Sequence, residues 1–308
     1  MFEIFLIICP LFIVIFSVAI LRRYRIIKDN WEPSLNQYVL TIGLPVLVFQ
    51  SIAQSSISFF DEYEIFLYNA IFLLCVFIIS YGIGYIFHLP KKMRATIIVC
   101  LMFSNVAYLG IPVLTQTYDH TVLPQISIIV TMYLLWFFVV GVSYLECTKN
   151  KDISRFTRRI FISLLKNPIV IAAFCGIVFH ALHIPLPRII VLSFEMITNS
   201  VTPIVLVIIG LFIASPQHGT LREWRTVLFF SCGTLMVLPA IFYFGLWFFG
   251  LTPGHYAVSI IESAMPLAIT PFAFADTYDL DKHFIVRSII VSTLLSIITL
   301  PFWITLLQ

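Results

Sequence analysis

The sequence predicts an all-α polytopic membrane protein, with ten transmembrane helices in two inverted five-helix repeats. Three observations predict it. The composition is that of a lipid-dissolved chain: 60% of the 308 residues are hydrophobic, 11% are charged, and the mean hydropathy is +1.03. Soluble domains carry about a quarter charged residues. The apolar residues fall into ten blocks of spanning length, and the prolines of the first five blocks recur in the second five.

A crossing helix needs about 20 mostly apolar residues. Ten segments qualify: 2–21, 34–54, 63–87, 92–116, 121–145, 160–182, 187–214, 224–249, 254–276 and 283–307. The connections between them are short, and no soluble domain fits there. The opening "MFEIFLIICPLFIVIF" has no basic n-region and no small-residue cleavage site, so it is the first span rather than a removable leader. Of the 18 Lys and Arg residues, 17 fall on the odd-numbered connections, Arg188 being the exception. Basic residues mark the cytoplasmic face. Both termini are therefore predicted to be extracytoplasmic, with the chain in a cell membrane.

Pro10 is followed by Pro168 and Pro45 by Pro203, both at an offset of 158, and Pro112 by Pro271 at 159. "SIIVT" at 127 and "SIIVS" at 288 are 161 apart. The near-constant offset divides the chain into a first repeat (1–148), a basic linker (149–159) and a second repeat (160–308). Five spans is an odd number, so the second repeat enters the membrane from the opposite side. Inverted repeats of this kind are a common ground plan of secondary transporters.

The fourth and ninth segments are interrupted. "SNVAYLGIP" (104–112) sets Asn105, Gly110 and Pro112 inside an apolar run, and "ESAMPLAITP" (262–271) carries Pro266 and Pro271. Proline removes a backbone donor and clashes with the preceding turn. Backbone freed at membrane depth must be buried in protein or line a cavity. Asn105 lies about 11 residues, or roughly 16 Å of helix, in from Arg94; Pro266 lies about 12 residues, or roughly 18 Å, in from Gly254. Both fall near the midplane. Paired breaks at corresponding positions point to a substrate site. Two half-helix N-termini there would favour an anion. Asn105, Gly110, Pro112, Pro266 and Pro271 are the expected substrate-binding residues.

Glu262 is the acid set well inside a span. Intramembrane acids are costly and usually functional, so it is the expected carrier of a coupling proton or ligand of Na⁺. Glu195 lies nearer the outer face, where a structural role suffices. Ser288, Ser292, Ser296 and Thr299 share one helical face, suited to helix packing or to lining a path. The six cysteines form no CxxC pair and serve as small apolar filler. His180 and His183 lack a third ligand for a metal. No nucleophile motif, zinc-protease motif or phosphate-binding loop occurs, so no enzyme and no resident cofactor are expected. The loop "ECTKNKDISRFTRR" (146–159) is suited to lipid headgroups and not to nucleic acid.

Several of these stretches resemble the auxin efflux carrier family, which includes plant PIN exporters and bacterial malate and malonate permease-like carriers. They are "LNQYVLTIGLPVLVF" (35–49), "SNVAYLGIPVL" (104–114), "LLKNPIVIAAFCGIVFHALHIPLP" (164–187), "AMPLAITPFAFADTYDLD" (264–281) and "STLLSIITLPFWITLL" (292–307). The resemblance covers nearly the whole chain. It implies the fold of bile acid:sodium symporters. Spans 1, 2, 6 and 7 would form a scaffold that dimerises, and the rest a moving body whose spans 4 and 9 cross at the substrate. Val106 and Ala107 depart from the family's Thr-Gly, and Leu267 from its second Pro. The related sodium symporters place an acid near the position of Glu262, whereas the auxin exporters need no such ion.

The function expected from residues and resemblance together is secondary-active transport of a small organic anion, a carboxylate, bound at the midplane crossover of the fourth and ninth spans, by a homodimer in the bilayer. The alternatives are a cation/proton antiporter of the same fold and a membrane sensor without flux.

Overall fold

The computed structural model describes residues 2–28, 30–55, 63–145, 165–214, 220–275 and 277–308. The linker 149–159 and the start of the sixth predicted segment, 160–164, lie outside the described residues.

Among the described residues seven helices are long and apolar enough to cross a membrane. They are α1 (Phe2–Arg23), α2 (Trp31–Ala53), α3 (Tyr63–Ile86), α6 (His120–Leu145), α8 (Arg188–Ile213), α9 (Leu221–Phe248) and α12 (Lys282–Leu307). Shorter helices stand between them: α4 (Lys91–Met102), α5 (Ile111–Tyr118), α7 (Pro168–Ala181), α10 (Ala257–Ser263) and α11 (Thr270–Phe274). Among the described residues the extended structure amounts to one isolated bridge, Ser104 to Leu267.

The prolines act on these helices in two ways. Pro10 and Pro203 sit inside the unbroken helices α1 and α8. By contrast, π-turns at Val39–Gly43, Val106–Gly110 and Gly233–Val237 run directly into Pro45, Pro112 and Pro239, each at the first or second position of the next helical stretch. A proline ring cannot accept the tight turn before it, and a widened turn relieves the clash. Other starts are capped. Asn167 Oδ1 accepts from Ile169 N–H (3.0 Å) ahead of Pro168 in α7. Thr220 and Glu223 form a capping box on α9, and Asp281 caps α12 through Phe284 N–H at 3.0 Å.

The helices pack as two groups. In the first, α7 lies along α2 and α1 along α8. Gly210 of α8 faces the Ile15 carbonyl and Val18 of α1, where a Cβ would collide; small residues allow such close approach between apolar helices. Tyr38 bonds Ser200 (2.7 Å), Thr198 donates to Gln50 (3.1 Å), and Arg22 pairs with Glu32 (2.8 Å), all within this group. In the second group α9 packs on α12 and α3 on α4. There Asn69 donates to Ser259 (2.8 Å), Trp303 to the Leu235 carbonyl (3.0 Å) and Tyr256 to Glu64 (3.1 Å). Polar bridges between the groups include Tyr108 to Asn36 (2.5 Å) and Ser51 to Ser127 (2.6 Å).

Candidate functional site

The two interrupted segments meet. α4 ends at Met102, and the chain passes through Phe103, Ser104 and Asn105 before the π-turn and α5. α10 ends at Ser263, and residues 264–269 lead to α11. The breaks run antiparallel through Ser104 and Leu267. Asn105 N–H donates to the Pro266 carbonyl at 2.7 Å, and Ala268 N–H to the Phe103 carbonyl at 3.0 Å. Leu267 N–H donates to Ser292 Oγ of α12 at 3.1 Å. Backbone groups freed by the breaks thus find partners inside protein, as membrane depth requires.

Asn105 is 4% exposed. Its Oδ1 accepts from Tyr108 N–H at 3.2 Å and caps the π-turn, while its carbonyl accepts from Leu109 (3.2 Å) and Gly110 (3.0 Å). Its Nδ2 donates to none of the described residues. Both N–H donors of a buried amide are therefore left for another acceptor. Tyr108, capped this way, reaches Asn36 of α2 with its hydroxyl.

Glu262 is fully buried, and neither carboxylate oxygen has a hydrogen-bond partner among the described residues. It lies against Gly110, where a Cβ would collide with Oε2. Tyr133 of α6 is close enough to interact with it electrostatically, and its buried hydroxyl is likewise unpartnered. Glycine at 110 is thus demanded by the carboxyl beside it.

Of the expected substrate residues, Asn105 and Pro266 are joined directly by their backbones. Gly110 touches Glu262 instead. Pro112 is buried at the start of α5 and Pro271 at the start of α11, each outside the break itself. The first break falls at 103–105, ahead of Gly110 and Pro112, because a proline in the first turn of a helix needs no N–H partner. The two half-helices are unequal. The π-turn and α5 together run from Val106 to Tyr118, but α11 has only 5 residues. The longer helix dipole at the crossing thus starts on the Asn105 side. The sequence reading missed Tyr108 and Tyr133, since their partners lie far away in the chain. Ser292, from the predicted hydroxyl face, serves as a backbone acceptor.

Two cavities formed by described residues lie away from the crossing, with no residue of either break in their lining. One, of about 450 Å³, lies between α2, the start of α6 and α8; Gln50, Ser51, Gln54, His120, Glu195 and Thr198 are among its lining. The other, of about 520 Å³, lies at the opposite, basic end. Among the described residues no three His, Cys, Asp or Glu side chains gather as a metal site.

Long apolar helices, with two interrupted ones paired at a buried amide and a buried acid, are the build of an integral, multi-pass membrane transporter. Residues 4–304 match the family model described as membrane transport protein, and the chain belongs to that family, the auxin efflux carriers of the resemblance above. It is 24% identical over 294 residues to an uncharacterized transporter of Methanocaldococcus jannaschii, covering 92% of each chain. It is 25% identical over 150 residues to auxin efflux carrier component 8 of Arabidopsis thaliana, covering 44% of this chain and 38% of that one.

Proposed function

We propose that the chain is a secondary-active carrier of a small organic anion, a carboxylate, bound where the two broken segments cross. The observation that carries this is Asn105: a buried amide that caps a half-helix with Oδ1 and keeps Nδ2 for an acceptor. The Asn105 amide would bond the carboxylate, and the half-helix N-terminus would supply positive potential. Glu262 would carry the coupling proton or ligate Na⁺.

The architecture proposed for this work is ten crossings in two inverted repeats. The seven long helices, the short apolar helix α7 and the two interrupted pairs, α4 with α5 and α10 with α11, are the material for ten. The separation of polar contacts into two groups supports a movement of α3–α6 and α9–α12 against α1, α2, α7 and α8. The seam would be held by neutral hydrogen bonds, which exchange at little cost. Dimerisation through the first group, and extracytoplasmic termini in a cell membrane, are part of the same proposal.

Counterflow in proteoliposomes tests it. A carboxylate that exchanges through the wild type should exchange at least about tenfold more slowly through Asn105→Ala, as expected when a hydrogen bond to a charged group is lost. Unchanged exchange in that variant rejects the site. Exchange that follows an imposed Na⁺ gradient, a pH gradient or neither tells which ion Glu262 couples.

A further inference from the structure

We propose that the basic end of α4 is a second, separate binding site, for an oxyanion such as phosphate or carboxylate. The site is the cavity of about 520 Å³ between the ends of α3, α4 and α6, and its charged core is Arg94 with Lys91.

The argument starts from a conflict. A helix N-terminus carries partial positive charge and favours acids. The first turn of α4 instead holds Lys91, Lys92 and Arg94, has no acid, and its N-cap, Pro90, provides no side-chain cap. Lys92 is relieved by Asp279 at 2.7 Å, a pair that is half-exposed on the Lys side and largely exposed on the Asp side. Lys91 and Arg94 have no ion pair with any described residue. Cations stacked on the positive end of a dipole are stabilised by an anion seated among them.

The Arg94 side chain is also held in place. Gly84 of α3 makes room for its stem, since a Cβ there would collide with Arg94 Cγ. The guanidinium lies 4.4 Å from the centre of the Tyr85 ring, and Nη2 donates to the Leu89 carbonyl at 3.2 Å. Three fixings on one surface arginine exceed what a solvated charge needs, and they leave little rotamer entropy to lose on binding. Tyr81, Tyr85 and Tyr144 line the same cavity, beside the Lys92–Asp279 pair; Tyr81 donates its hydroxyl proton to Tyr85 at 3.1 Å, which leaves Tyr85 and Tyr144 as hydroxyl donors for an oxyanion. The cavity sits one length of α4 from Asn105, so an anion held there would stand apart from the one at the crossing. The site does not depend on the transport reading.

Inorganic phosphate is the probe. It is titrated by calorimetry onto the full chain in a neutral detergent, in the wild type, Arg94→Gln, Lys91→Gln, Arg222→Gln and Asn105→Ala. Binding should weaken about tenfold in Arg94→Gln and about threefold in Lys91→Gln, as expected when a charge-assisted bond or a nearby charge is removed. It should be unchanged in Arg222→Gln, an exposed cation elsewhere, and in Asn105→Ala. Lys91 is exposed, so Lys91→Gln carries the test if Arg94→Gln fails to fold. No phosphate binding to the wild type, or equal binding by all five proteins, overturns the site. Repeating the titration in nanodiscs identifies the source of the anion. Phosphate excluded by phosphatidylglycerol but not by phosphatidylcholine means a lipid headgroup fills the site. Equal binding in both means a soluble anion does.

Discussion

Asn105 ties its own turn to the opposing break: Oδ1 accepts from the Tyr108 N–H of its own turn, and its N–H donates to the Pro266 carbonyl of the other. Its neighbour in space, Gly110, is set by the Glu262 carboxyl. Adding a methyl at Gly110 forces that carboxyl off its seat, and overpacking of this kind costs about 1–3 kcal/mol. Gly110→Ala should therefore lower the thermal midpoint, and Gly110→Ala with Glu262→Ala should recover most of the loss. Equal midpoints for the single and double variants would show that the two residues do not press on each other. Glu262→Gln keeps the shape and removes the ionisable group. It should leave the midpoint close to that of the wild type and abolish the response of exchange to the coupling ion. The intramembrane acid was visible in the sequence as a charge in an apolar run; its contact with Gly110 was not, since 152 residues separate them.

At the scale of the element, the prolines marked where helices are disturbed but not how. Pro10 and Pro203 lie in continuous helices, whereas Pro45, Pro112 and Pro239 follow π-turns. A proline near a helix start is compatible with an unbroken run or with a widened turn, and packing decides between them. The crossing needed more than prolines. Its pairing uses the Phe103 and Pro266 carbonyls and Ser292 Oγ, long-range backbone matches that no local pattern announces. The π-turn before α5 also aims Tyr108 at Asn36 across the seam between the two helix groups. Removing that hydroxyl should cost about 1 kcal/mol of contact between the groups. Tyr108→Phe should then change the rate of exchange while ligand affinity, read by thermal shift, stays within about twofold of the wild type, a difference well under that energy. A large loss of affinity would instead make Tyr108 part of the binding site.

At the scale of the molecule, composition and segment length were enough to foresee an integral membrane protein, and seven long apolar helices agree with it. The shorter elements are the difficult part of the sequence, because interrupted helices lose the length that defines a span. The ordered set of motifs resolved the family where individual helices could not, and the family match spans residues 4–304. The central claim is that an anion binds at the crossing. The most direct measurement is thermal stabilisation of the purified chain by a panel of mono- and dicarboxylates, amino acids and indole acids, with wild type and Asn105→Ala side by side. A ligand that binds the folded state alone raises the midpoint by mass action. The account predicts a carboxylate that raises the wild-type midpoint and leaves Asn105→Ala unmoved. A carboxylate that stabilises both proteins equally, or stabilisation by cations alone, would contradict it.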